Sequence, residues 1–211
     1  MEDTKNLERS SKDPGLKKSG YHHGDLRAGL IEATRRLVEE KGVDGFSVSE
    51  ACRAAGVSTA APYKHFKNKD EMVVAVVMEG MMRFQDNMHA ALEGIPEGSP
   101  DRVRALGRQY VNFALTEPAI FRLKFGGYTD ALEDENLDEA GQGTFNMVLE
   151  EVAKCLGESE ITQEVRRRGF VLWSVVHGLS FLLHDKKLAE MAGEATLDDL
   201  LGDLGDRVLA P

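Results

Sequence analysis

Cysteine, tryptophan and proline are scarce in this chain: two, one and six among 211 residues. Cys52 and Cys155 lie far apart, with no second thiol at metal-ligand spacing. A disulfide framework and a thiolate zinc site are therefore both excluded. Each cysteine falls in a stretch that reads as helix, where a lone thiol acts as a small buried hydrophobe. Such usage suits a reducing, cytoplasmic location. Alternating β-branched runs never exceed a few residues, so strands are not expected. No stretch approaches the roughly 18 continuous apolar residues of a membrane span. The segment Met1–Lys18 is polar and mixed in charge, without the apolar centre of a secretory signal. Residues 1–19 read as a disordered leader or arm.

Catalytic and cofactor signatures are missing too. Neither a Gly-x-Ser-x-Gly elbow nor a phosphate-cradling glycine loop occurs. His177 and His184 share a helical face with Asp185 adjacent, but no His-x-x-x-His or His-x-x-Glu pair accompanies them. The acids scatter over helix faces instead of pairing at an organised site. No enzyme, metal or cofactor is expected.

What the chain does have is asymmetry. Its net charge is −10, yet residues 1–70 carry 13 Lys and Arg against 11 Asp and Glu. The remainder carries 13 against 25. The N-terminal end is therefore the place to look for polyanion binding.

Helical periodicity fills most of the rest, and the fold class is all-α. Leu26, Leu30, Ala33, Leu37 and Val38 predict a first helix over Asp25–Lys41, stopped by Gly42. Ser47 and Glu50 form a capping-box pattern for a second, which Gly56 ends. Ser58 caps a short third helix reaching Phe66, and Pro62 should distort its first turn. Asn68 and Glu71 open a long fourth that runs on past Leu92. Ser99 and Pro100 start the next helix, to Thr116, and Pro118 starts another through Phe125. The acidic stretch Gly126–Gly143 reads as a mobile loop. Helices follow over about Thr144–Leu156 and Thr162–Leu183, with a last one capped by Thr196.

Two short helices joined at Gly56 make a helix-turn-helix, whose second helix enters the major groove. Amides near Ser47 and Val48 are placed to hold a phosphate. Small residues at Ser58, Thr59 and Ala60 allow close approach to base edges. Tyr63, Lys64 and His65 follow as hydrogen-bonding or cationic groups, Phe66 anchors the segment, and Lys69 sits where it can clamp another phosphate. A generic helix–glycine–helix corner would share many of these features.

Gly56-Val-Ser58, then Tyr63-x-His-Phe66 and Lys69-Asp-Glu, resembles the DNA-binding domain of the TetR family over about Gly24 to Val77. Tyr21-His-His-Gly-Asp-Leu-Arg27 and Ala60-Ala-Pro-Tyr63 resemble one branch of it, whose C-terminal domain is marked by Trp, His and Gly. Trp173-x-x-x-His177-Gly178 matches that mark, and Pro118-x-x-Phe121-Arg-Leu-x-Phe125-Gly126 is similar to the same domain. The resemblance implies about nine helices: a three-helix DNA-binding domain over 20–70, then a ligand-binding, dimerising bundle over 71–211. By position it implies that Thr59, Ala60, Tyr63 and Lys64 face base edges or adjoining phosphates, while Ser47, His65 and Lys69 contact the backbone. Lys17 and Lys18 are either an arm reaching the DNA or a solvated tail.

Val165, Leu172, Val176, Leu179 and Leu183 form a stripe on the helix at 162–183. The family pattern makes this helix and the one at 197–208 the homodimer seam. Trp173 and His177, four apart, share a face. They are either a pocket wall, with Phe113, Phe121 and Phe125 around it, or a buried aromatic–histidine pair. The function implied is a repressor that dimerises on a pseudo-palindromic operator and is released by a small-molecule effector. The competing reading is a helical ligand-binding or scaffold protein with a degenerate helix-turn-helix.

Overall fold

The computed structural model describes residues 25–129, 132, 134–184, 187 and 192–210. The leader, Lys17, Lys18, the Tyr21–Gly24 motif and Asp185 lie outside them. Eight α-helices occur among the described residues, and no strand. They are α1 (Asp25–Lys41), α2 (Val48–Ala54), α3 (Lys69–Ala91), α4 (Pro100–Thr116), α5 (Pro118–Phe125), α6 (Glu135–Leu156), α7 (Gln163–His184) and α8 (Leu197–Val208).

Local chemistry explains the boundaries. Asn68 accepts from the Glu71 amide at 2.9 Å, satisfying an orphan donor at the head of α3, and the Glu71 carboxylate reaches back to the Lys67 amide at 2.7 Å, fixing the chain just before the cap. Ser99 caps α4 ahead of Pro100, and Thr196 and Asp199 form a complete capping box on α8. Ser47 accepts from the Glu50 amide at 3.2 Å, but the Glu50 carboxylate turns to Lys41 instead of closing the box.

Three sequence expectations need correction. The segment after Gly56 is not an α-helix. Only Pro62–Lys64 winds, as a 3₁₀ turn, because Pro62 has no N–H to return to Ser58 and a single four-residue bond, Phe66 N to Pro62 O at 2.9 Å, closes the segment. Helix α3 stops at Ala91 with Leu92 as its cap, since Gly94 follows at φ 75° and Pro96 cannot continue the ladder. The acidic stretch is half helix: Asp134 caps α6 by accepting from the Asn136 and Leu137 amides at 3.1 Å. Leu137 and Thr144 are then buried against the bundle. Burying them outweighs the roughly 1 kcal/mol by which each of Gly141 and Gly143 disfavours a helix.

Helix α3 is the spine, packing against α1, α4, α5 and α6. One core runs from Leu30, Val38 and Cys52 through Met72, Val76 and Met81 to Phe84, Val111 and Ile120. A smaller one, with Val103, Leu149, Val152, Val165 and Leu172, ties α4, α6 and α7 at the far end. A Cβ on Gly80 would lie 2.7 Å from Ile120 Cγ2, so the missing side chain lets α5 seat directly on α3.

Candidate nucleic-acid interface and ligand cavity

After α2, Gly56 takes φ 69°, and the Val57 amide returns to the Cys52 carbonyl at 2.9 Å, reversing the chain. The segment beyond is held by two side chains pointing inward. Pro62 and Phe66 are buried, four residues apart on one side. Ser58, Thr59, Ala60, Tyr63, Lys64 and His65 are all exposed on the other. Tyr63 is the most exposed large hydrophobic side chain among the described residues, at 64%. Burying an aromatic phenol would be expected in a fold with nothing to meet there. Ser47 is exposed beside them, and Val48 is half-buried against the core.

Lys69 stands apart. Its ammonium donates to the Phe46 carbonyl at 2.8 Å and lies 4.4 Å from the centre of the Phe46 ring. It therefore stitches the head of α3 to the residue preceding the Ser47 cap. Pro62 as an anchor was not anticipated; its burial depends on the rest of the fold, which the local sequence does not disclose.

In the helical body, Phe125, Gly141, Phe145 and Trp173 line both an inner cavity of about 60 Å³ and an open cleft of about 490 Å³. The cavity walls are apolar, from Met88, Leu106, Val148, Leu172, Val176 and Leu201 among others, with Arg104 and Thr144 as polar members. The cleft adds His177, Lys124, Asp138 and Gln142. Of five expected pocket residues, Phe125, Trp173 and His177 line these spaces. Phe113 and Phe121 do not; they sit behind, Phe113 stacked on Phe84 at 4.7 Å and Phe121 edge-on to Tyr110 at 5.6 Å.

His177 is packed among aromatic rings: stacked on Trp173 at 5.1 Å, and near Tyr110, Phe121, Phe125 and Phe181. Its Nδ1 meets the Tyr110 hydroxyl at 2.9 Å. Burial holds the imidazole below its usual range and pushes the Tyr110 phenol up, so both are neutral at pH 7. Tyr110 and Lys124 were not anticipated. A lysine between Phe121 and Phe125 in an apolar short helix was the available signal for the second.

The apolar stripe expected to form a dimer seam is mostly internal. Val165, Leu172 and Val176 are buried in their own bundle. The exposed face of α7 carries Phe170, Val171, Ser174, Val175, Gly178 and Leu182 instead. Gly169 is buried where a Cβ would meet Leu149 at 2.4 Å, whereas Gly178 has open space around it. Among the described residues no three His, Cys, Asp or Glu converge as metal ligands. No helix there is long and apolar enough to cross a membrane.

Comparisons with known proteins agree with this architecture. Residues 30–76 match the family described as bacterial regulatory proteins, tetR family, and residues 103–204 match the tetracyclin repressor-like C-terminal domain. The HTH-type transcriptional regulator Rv1816 of Mycobacterium tuberculosis is 24% identical over 102 residues, 48% of this chain and 44% of that protein. The match thus spans less than half of that relative's length. The HTH-type transcriptional regulator BetI of an Escherichia coli strain is 21% identical over 154 residues, covering 72% of this chain and 79% of BetI. A solved Rhodococcus sp. RHA1 protein of unknown function superposes with a TM-score of 0.77 at 28% identity, covering 91% of this chain and 97% of its own.

Proposed function

Because this chain belongs to the TetR family of bacterial regulatory proteins, we propose that it is a cytoplasmic transcriptional repressor, and not an enzyme. It binds a pseudo-palindromic operator as a two-fold dimer and is released by a small-molecule effector. The observation that carries the DNA half is the presentation of Ser58–His65. Buried Pro62 and Phe66 hold the segment while every other member except half-buried Ala61 is exposed. In this reading Thr59, Ala60 and Tyr63 approach base edges, Lys64 and His65 the adjoining phosphates, and Ser47 and the Val48 amide a neighbouring phosphate. Lys69 keeps one ammonium hydrogen on Phe46 and has others to offer the backbone. Residues 20–70 form the DNA-binding part and 71–211 the effector and dimer part, with α3 shared between them.

Helix α3 supplies the mechanical link. At 23 residues it spans about 35 Å. Lys69 at its head holds Phe46, and Met88 near its tail lines the inner cavity. A ligand that favours one packing of the walls around Met88 tilts the helix that carries the recognition segment. Two half-sites must be reached at once, so a shift of a few ångströms disfavours binding. The effect is limited by the ligand's differential affinity for the two geometries.

Gel shift against DNA flanking the gene tests the first half, and an inverted repeat in the protected site is expected. No shift with any flanking fragment would favour the reading as a helical ligand-binding or scaffold protein. The single observation on that side is that the recognition element is a 3₁₀ turn and not a full helix.

A further inference from the structure

Lys124 is the one buried lysine among the described residues, 7% exposed. It projects from α5 along Gly141, where a Cβ would come within 3.3 Å of its Cε and 3.5 Å of its Nζ. Its nearest carboxylate is Asp138 at 3.8 Å, beyond hydrogen-bond distance and with its side chain 63% exposed. A buried ammonium whose ion pair is this loose, to a carboxylate that water screens, is costly unless something else adds to the compensation. The charge stands in the wall of the open cleft, beside His177 and Gln142.

The rest of the lining is largely apolar. Phe125, Phe145 and Trp173 stand between the cleft and the inner cavity and line both, and the inner lining is mostly hydrocarbon with Arg104, Tyr110 and Thr144 as its polar members. Arg104, the other cation there, is already paired with two carboxylates, Asp101 at 2.7 Å and Asp206, and keeps only its buried Nε–H without a partner. The cleft's volume lies within the ~300–1,000 Å³ of small-molecule sites. A polar mouth with one under-compensated positive charge, opening on an apolar interior, fits a particular ligand shape.

We propose that this cleft binds a monoanionic amphipathic molecule, a carboxylate on an apolar body. Its carboxylate pairs with Lys124 Nζ, with His177 as the second polar contact, and its body passes between Phe145 and Trp173 toward the inner cavity. The tautomer in which Nδ1 of His177 accepts from Tyr110 leaves Nε2 carrying the proton, a donor for the same carboxylate. This rests on the reading of the helical part as effector-binding and specifies the chemistry of that site.

Trp173 is the only tryptophan in the chain and lines both spaces, so its fluorescence reports occupancy. The test titrates the full-length protein with decanoate, decanol and decylamine, three probes with one tail and three head charges, each below its micelle concentration. Decanoate should bind at least about tenfold more tightly than decanol, the fold-change of one charge-assisted hydrogen bond, and decylamine more weakly than either. Lys124→Met should erase the preference for decanoate, and Lys124→Arg should restore it. Thermal melts confirm that both variants fold. Equal affinity for acid and alcohol, tighter binding of the amine, or no saturable response to decanoate would each overturn the proposal. So would a Lys124→Met variant that folds and keeps the preference. If a broader thermal-stabilisation screen then finds a neutral or cationic ligand, effector binding stands and only the anion assignment falls; operator binding is read separately by gel shift.

Discussion

Glu39 on α1 accepts a hydrogen bond from the Ala119 amide at 3.3 Å, so a residue of the first helix caps the N-terminus of α5, whose other end carries Lys124 and Phe125. The second carboxylate oxygen is buried without a partner. Burial, with nearby Glu117 adding repulsion, raises the Glu39 pKa against the pull of the Ala119 bond. A raised folded pKa means the protonated acid suits the fold. That stability is fully present below the unfolded pKa, about 4.3, and is lost as pH rises through the higher folded value. Glu39→Gln resembles the protonated form at every pH. The variant should melt at a higher temperature than wild type at pH 7, with the gap closing as pH falls toward about 4. A gap that is the same at both pH values, or a variant less stable at pH 7, contradicts this account.

The two lysines of the recognition region should behave differently. Lys64 is exposed and has no partner among the described residues, whereas Lys69 is bound to Phe46. Lys64→Ala should leave the melting temperature unchanged and lower the salt slope of operator binding by about one. Lys69→Ala should also lose about 0.5–1.5 kcal/mol of fold stability, the worth of one hydrogen bond. Salt titrations and denaturant melts on both variants check this. If Lys69→Ala is as stable as wild type, the Phe46 contact contributes nothing in solution.

Arg102 and Glu151 form the most deeply buried ion pair, with side chains 12% and 4% exposed and two bonds between them at 2.6 and 3.1 Å. Arg102 also ties down the carbonyls of Leu92 and Ile95, and Lys154 adds a bond to Glu151 at 3.1 Å. Burial pushes the Glu151 pKa up, but its bonds to Arg102 and Lys154 outweigh that and leave it lowered. This contribution is therefore present above the unfolded pKa and disappears as pH falls through the folded one. Arg102→Met should cost up to about 3 kcal/mol at pH 7 by leaving a buried carboxylate with Lys154 alone, and the double variant with Glu151→Leu should recover much of it. Additive losses in chemical denaturation would show that the two residues act independently.

Dimerisation should follow the outer face of α7. Phe170 is 58% exposed, and Val171, Val175 and Leu182 extend the same face past Gly178. Val175→Glu places a charge on this face without touching the core and should shift the protein to monomer in light scattering. Half-sites about 34–36 Å apart cannot then be bridged, and operator affinity should fall sharply. A Val175→Glu protein that remains a dimer moves the seam elsewhere.

Most helix boundaries were legible because they are local. Ser99-Pro100, Asn68 with Glu71, and Thr196 each satisfy orphan donors of a helix end within four residues, Pro118 starts α5 by having no N–H to satisfy, and Gly56 and Gly157 take left-handed conformations that favour glycine. The recognition segment was legible as a surface for the same reason. Its small and cationic residues are consecutive in the chain, and Pro62 announced the distortion that turned out to consume the helix. Asp134 was an equally local cap, but the acidic charge and the glycines around it concealed helix α6.

The faces were decided elsewhere. Apolar positions on α7 exceed what one helix stripe needs, so the pattern marked Val165, Leu172 and Val176 as apolar without saying which apolar face meets α4 and α6 and which meets solvent. Phe113, Phe121 and Phe125 are alike in sequence, yet only Phe125 reaches the cavity, because α4 stacks Phe113 on Phe84 and the seating of α5 on Gly80 leaves Phe121 edge-on to Tyr110. The sequence by itself therefore determined most of the helices, most of their ends and the exposed run at Ser58–His65, each set by bonds between residues a few positions apart. Only the tertiary structure brought Lys124, Trp173 and His177 around one cleft and set Tyr110 of a third helix against His177, because burial and charge compensation depend on what the other helices place nearby.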